Sequence, residues 1–111
     1  MLKVSPQEAW QRITNQQARL IDVRTPHEYQ TLRAAGAENH ELSTLTGDYI
    51  AEHILPGSAD KPLLVICKSG FRASQAAELF KAMNVKQVLV VDGGTDLWNE
   101  QGLPVEKGGT R

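Results

Sequence analysis

Three short runs of almost unbroken apolar residues constrain this chain more than anything else in it. They are "ARLIDV" at 18–23, "PLLVI" at 62–66 and "QVLVVD" at 87–92. A strand with one face in water alternates apolar and polar residues, and these do not, so each expects cover on both faces. Helical patterns fall between them. "SPQEAWQRI" opens with Ser5 as a cap, Pro6 in the first helical position, Glu8 placed to complete a capping box, and Ala9, Trp10 and Ile13 as an apolar stripe. "DYIAEHIL" (48–55) has helical spacing and stops at Pro56-Gly57. "RASQAAELFKAM" (72–83) is the clearest helix, with Asn84 placed to end it. "TDLWNEQG" predicts a short helix capped by Thr95 and stopped by Gly102. Thr25 is placed to cap a helical turn after the first apolar run, and residues 31–46 give no clear pattern. Strand and helix in alternation predict an α/β fold around a mostly parallel sheet.

The length of 111 residues suits one domain, expected over 1–106 with a loose tail at 107–111. Hydrophobic residues at 41% and charged residues at 23% suit a soluble globular domain with a real core. The net charge of −1 gives no concentrated basic face, so neither nucleic acid nor an anionic membrane is expected as a partner. No run reaches a membrane span, and "MLKVSPQEAW" lacks the apolar stretch of a signal peptide. One cysteine makes neither an internal disulfide nor a dithiol redox pair, so the expected setting is the reducing cytoplasm.

In a parallel sheet, ligands bind at the C-terminal ends of the strands. Three such ends stand out: Asp22-Val23-Arg24, Cys67 with its loop, and Asp92-Gly93-Gly94. Cys67, the single cysteine, lies between a strand and a helix start in "CKSGFR". It has two readings: a small core residue ending a strand, or a nucleophile in a cup of backbone amides. The second draws on several features at once. Amides of 68–72 can turn inward as a nest, the helix adds its positive end, Lys68 and Arg72 add formal charge, and Gly70 permits the tight backbone path. Each favours a thiolate over a thiol, and the same cup suits an anionic substrate. A phosphate-ester cysteine loop places its arginine six residues after the cysteine, which here is Ala73. Only four residues separate Cys67 from Arg72, so the ring is smaller.

"CKSGFRA" resembles the active-site loop of the single-domain rhodaneses, the thiosulfate sulfurtransferase family. "LIDVRTPHEY" (20–29) is similar to the family's strand and turn through Asp22, Val23, Arg24, Glu28 and Tyr29. "GGTDLW…GLPV" (93–105) is similar to its closing segment through Gly93, Gly94, Trp98, Gly102, Leu103 and Pro104. The chain departs from the family at 32–37, where "LRAAGA" keeps only Gly36 and Ala37 of a Gly-His-Ile-Pro-Gly-Ala stretch. The resemblance implies a rhodanese-like sheet of about five strands with helices on both faces. It also implies transfer of sulfane sulfur from thiosulfate or a persulfide to a thiophilic acceptor such as cyanide, through a Cys67 persulfide and with no cofactor. Lys68, Ser69, Gly70, Phe71 and Arg72 would bind the anionic donor, with a protein sulfur donor or acceptor as a further partner. The alternatives are a non-enzymatic sulfur carrier or protein-binding module, a phosphatase or arsenate reductase on the same fold, and an inactive domain.

Other residues have plainer readings. Asp22 ends a buried strand and needs a partner. Arg24 and Glu28, four apart, are placed to pair with each other; all three read as supporting residues. Ser69 is placed either to donate to bound sulfur or to cap the helix. Trp10 and Trp98 read as packing residues, Gly93-Gly94 as a turn, and His27 as solvated. His27, His40 and His53 are too far apart for a local metal motif, and "HELST" at 40–44 breaks the zinc pattern at Thr44, so no metal is expected.

Overall fold

A computed structural model of the chain describes residues 2–109. Its main sheet has five parallel strands. β1 (Lys3–Val4), β6 (Val88–Val91), β5 (Leu63–Ile66), β2 (Arg19–Asp22) and β4 (Ala37–Asn39) lie side by side in that order. Every residue of β5, the central strand, is buried. This is the two-sided burial that the unbroken apolar runs require.

Alternate residues of the strands feed two cores. On one face Ile21, Val23, Val65 and Val90 pack with α4 (Phe71–Ala82), through Ala73, Ala76, Ala77 and Phe80. The same core takes in Ile50 and Ile54 from α3 (Gly47–Tyr49) and its continuation. On the other face Leu20, Leu64, Ile66 and Val91 pack with α1 (Pro6–Thr14) and α5 (Gly94–Glu100). There Trp98 is fully buried and bonds the Pro104 carbonyl at 2.8 Å, and Trp10 meets it edge-on at 6.0 Å. Helices thus cover both faces, as expected.

The chain leaves β2 towards β4 on one side and leaves β5 towards β6 on the other. Neighbouring parallel strands with departing connections open a crevice between their C-terminal ends. Cys67 and the Asp22–Arg24 segment lie on either side of that crevice.

The helix starts differ in detail from the sequence reading. Ser5 caps α1 by accepting the Glu8 amide at 3.1 Å, but the Glu8 carboxylate binds Arg12 at 2.7 Å, so its capping box is only half made. The full box forms at α2 (Pro26–Thr31), between Thr25 and Glu28. Asn84 ends α4 in the left-handed region. The helical pattern at 48–55 becomes one short α segment followed by a π-helical turn, Ile50–Ile54. The Arg19 guanidinium reaches the carbonyls at the end of that turn, Ile54 at 2.8 Å and Pro56 at 3.1 Å.

The unreadable segment 31–46 holds β3 (Arg33–Ala34), β4 and a 3-10 turn at Leu42–Thr44. β3 pairs antiparallel with β7 (Val105–Glu106) as a separate ribbon. The tail expected at 107–111 begins tied down: the Gly108 carbonyl accepts from Arg33 at 2.9 Å and its amide donates to Gln30. Thr110 and Arg111 lie outside the described residues.

Candidate active site

The three strand ends picked out in the sequence meet, because β6, β5 and β2 are neighbours. Cys67 follows the last residue of β5, and its residue exposure is only 1%. Three positions on, the chain turns at Gly70, with φ +125°, and α4 begins at Phe71. That φ is reserved for glycine in practice. It aims the Gly70 amide back at the cysteine, where it donates to Sγ at 3.0 Å. A Cβ at Gly70 would touch nothing within 4 Å, so its conformation rather than space demands glycine. Gly70 is the N-cap of α4, and Ser69 is exposed with no capping role.

The outside of the loop is held by α5. The Thr95 amide donates to the Cys67 carbonyl at 2.8 Å and the Asp96 amide to the Lys68 carbonyl at 3.1 Å. Two N–H groups that the helix start leaves without intrahelical partners are satisfied this way. Carbonyl and amide point to opposite sides of a trans peptide, so the Lys68 and Ser69 amides are turned away from α5.

This contact corrects two expectations. Thr95 does not cap α5; Gly93 does, with φ +72°, and Thr95 is buried inside the helix with an Oγ1 that has no partner among the described residues. Gly93-Gly94 is also more than a turn. A Cβ on Gly94 would lie 2.4 Å from the Lys68 carbonyl oxygen and 2.5 Å from that of Cys67. The helix must therefore start on glycine to press against the cysteine loop. The glycine pair at a strand end was the sequence signal for this.

The charges are paired in ways that sequence spacing did not show. Arg24 does not pair with Glu28. It pairs with Asp22, whose carboxylate accepts from the Arg24 amide at 3.0 Å, from Nε at 3.0 and 3.2 Å, and from Nη2 at 2.8 Å. Asp22 is fully buried, so its charge needs that neutralisation. Residues two apart on extended chain share a side, which brings the two together. Arg24 also bonds the Leu32 carbonyl, and the Asn39 amide bridges the carbonyls of Asp22 and Arg24. Asn39 had no sequence signal as a brace of this crevice.

Glu28 turns to Arg72 instead, accepting from Nη1 at 2.8 Å and Nη2 at 2.9 Å. The Arg72 guanidinium holds the Glu28 carboxyl down to about 2, with the Thr25 amide and hydroxyl helping. Glu28 in turn raises the pKa of Arg72, and the nearby Cys67 adds to that. Lys68 reaches out over α5 to Asp96 at 2.8 Å, with both side chains exposed. Phe71 stands 74% exposed on the rim. A small cleft of about 150 Å³ lies between the cysteine loop and the end of β6, lined by Ser69, Gly70, Phe71, Asp92 and Gly93 among others.

No histidine ring bonds this loop among the described residues. His27 is exposed, while His40 bonds the Tyr49 hydroxyl at 2.7 Å and Glu38 at 3.2 Å, and His53 packs on Tyr49. No group of three or more His, Cys, Asp or Glu placed to hold a metal occurs among the described residues. No helix among them is long and apolar enough to cross a membrane.

Comparison with known proteins agrees with this geometry. The thiosulfate sulfurtransferase GlpE of Actinobacillus pleuropneumoniae is 29% identical over 104 residues, covering 94% of this chain and 92% of the relative. The crystal structure of a rhodanese-related protein from Thermoplasma volcanium superposes with a TM-score of 0.78 at 25% identity, over 96% of this chain and 98% of that one. The human single-domain sulfurtransferase TSTD1 superposes with a TM-score of 0.76 at 27% identity, over 91% and 97%. The family model for the rhodanese-like domain matches residues 5–101, a span that holds the Asp22 strand end, the cysteine loop and the Gly93-Gly94 contact, and the chain belongs to that family.

Proposed function

We propose that this protein is a sulfurtransferase that takes sulfane sulfur from thiosulfate or a persulfide and passes it to a thiophilic acceptor through a persulfide on Cys67. The observation that carries this reading is the small cup: four residues between Cys67 and Arg72, with the Gly70 amide already on Sγ at 3.0 Å. That ring is one residue shorter than a phosphate loop, so its cradle is smaller than one built for a tetrahedral phosphate. The relatives named as thiosulfate sulfurtransferases support the same donor.

In the first step the Cys67 thiolate attacks the outer sulfur of thiosulfate. A Cys67 S–S bond forms, the donor's S–S bond breaks, and the electron pair leaves with sulfite. In the second step an acceptor nucleophile (cyanide in an assay, a thiol in a cell) attacks the outer persulfide sulfur and returns the Cys67 thiolate. A preformed thiolate needs no general base and the scheme no cofactor. The Gly70 amide stabilises the negative sulfur in both states, as an oxyanion-hole donor does. The reducing cytoplasm is the compartment that suits a single reactive thiol.

Intact mass after incubation with thiosulfate tests this. Wild type gains one sulfur atom and turns cyanide into thiocyanate, and Cys67→Ala does neither. A wild type with no mass gain and no thiocyanate refutes it. A second reading, a sulfur carrier serving a protein partner, is favoured by exposed Phe71 beside a nearly inaccessible Cys67. It expects loading without turnover on small acceptors.

A further inference from the structure

Both loop cations expected to meet an anionic donor are already engaged. Lys68 lies on Asp96, and Arg72 gives two donors to Glu28. The second pair is a fixed one. Glu28 Oε1 also accepts from the Thr25 amide and hydroxyl, each at 3.1 Å, and the Thr25 hydroxyl accepts the Glu28 amide at 3.2 Å. Glu28 cannot turn away without leaving the Thr25 amide at the start of α2 without its carboxylate partner. A bidentate carboxylate is a strong, oriented partner for a guanidinium, whereas the exposed Lys68–Asp96 pair is weak.

We propose that Glu28 determines donor specificity: by holding Arg72 in a bidentate pair beside Cys67 it cancels the arginine charge at the cup and removes the advantage a dianionic donor would otherwise have. This rests on the sulfur-transfer reading above. The Gly70 amide, which already donates to Sγ at 3.0 Å, remains as the contact at the reacting sulfur, and it responds to that one atom rather than to the donor's total charge. Thiosulfate, a dianion, therefore draws no electrostatic preference from Arg72 over a thiosulfonate or an alkyl persulfide of lower charge. Glu28 is a positioning residue; it touches Arg72, not the reacting sulfur.

The test is the second-order rate constant for loading Cys67, read by quenched intact mass, with two donors that carry the same sulfane sulfur. Thiosulfate is the dianion and an aryl thiosulfonate is the monoanion. In Glu28→Gln the ratio of the two rate constants should shift about fivefold towards thiosulfate, the weight of one unit charge near contact in water. In Glu28→Gln with Arg72→Gln the ratio should return to the wild-type value. A ratio unchanged in Glu28→Gln, with both rates altered alike, overturns the proposal and leaves Glu28 a brace. A double variant that keeps the shifted ratio also overturns it. If Glu28→Gln does not fold, Lys68→Gln, which leaves Arg72 and Glu28 in place, decides through ionic strength: parallel salt profiles for the two donors support the proposal, and a thiosulfate rate that alone falls steeply with salt overturns it. A wild type loaded by neither donor instead refutes the sulfur-transfer reading itself.

Discussion

Gly94→Ala is the substitution that most sharply separates backbone strain from a contact made across the site. Gly94 has φ +61°, and its new Cβ would meet the Lys68 and Cys67 carbonyl oxygens at 2.4 and 2.5 Å. Both obstacles are backbone and cannot swing aside. Ordinary contact begins near ~3.5 Å, so helix and loop must part by about 1 Å. That separation breaks or stretches the Thr95 and Asp96 amide bonds to the loop. The left-handed conformation costs about 1–2 kcal/mol in a residue with a Cβ, and two weakened hydrogen bonds cost about 0.5–1.5 kcal/mol each. The sum, roughly 2–5 kcal/mol, lowers Tm by about 10–20 °C in a domain of this size. The control is Gly102→Ala, with φ +75° and nothing within 4 Å of the new Cβ. It bears the conformational cost alone, about 1–2 kcal/mol, and leaves the cup intact. Thermal melts followed by circular dichroism, with thiosulfate loading of Cys67 measured below both transitions, give the comparison. Gly94→Ala should melt well below Gly102→Ala and load at least tenfold more slowly. Equal melting temperatures and equal loading rates for the two variants would refute the claim that α5 shapes the cysteine loop.

Two other outcomes follow from the charge pairs. Asp22→Asn leaves the Arg24 guanidinium buried without its counter-charge, a loss of about 3–5 kcal/mol, and urea denaturation should show a lower midpoint at an unchanged slope. The Glu28 carboxyl is depressed from 4.5 to about 2 in the folded protein, mainly by the Arg72 hydrogen bonds. A depressed acid contributes stability that is fully present above its unfolded value, near 4.5, and lost as pH falls towards 2. The pair is partly exposed, so about 1 kcal/mol is the expected size. The difference in unfolding free energy between wild type and Glu28→Gln should shrink by that much on acidification from neutral pH to pH ~2. A difference that does not change with pH refutes the assignment.

Much of this was legible in the chain. The β2, β5 and β6 strands could be read because two-sided burial leaves unbroken apolar runs, and α4 because its alanines and Phe80 repeat with helical spacing. The small ring of the cysteine loop is a count along the chain, and so is the glycine that turns it. Other parts left no such mark. β3 has two residues and finds its partner, β7, across some seventy positions, so no local pattern announces either. The segment 37–39 is a short edge strand with Glu38 in its middle, recognisable only once β2 lies beside it.

The charges show the division most plainly. Spacing placed Arg24 with Glu28, four apart, yet the fold joins Asp22 to Arg24 and sends Glu28 to Arg72, 44 positions on. Burial decides the first pair, since Asp22 has no water and takes the nearest cation on its own side of the strand. The switch in direction between β2 and β5 decides the second, because it sets the start of α2 against the start of α4. The identity of the buried strands β2, β5 and β6 and of α4, and the chemistry implied by a cysteine with four residues between it and an arginine, depend on local order and are written in sequence. The partner of each charge and the backbone that Gly94 must meet depend on which distant segments are packed together, and only the tertiary structure decides that.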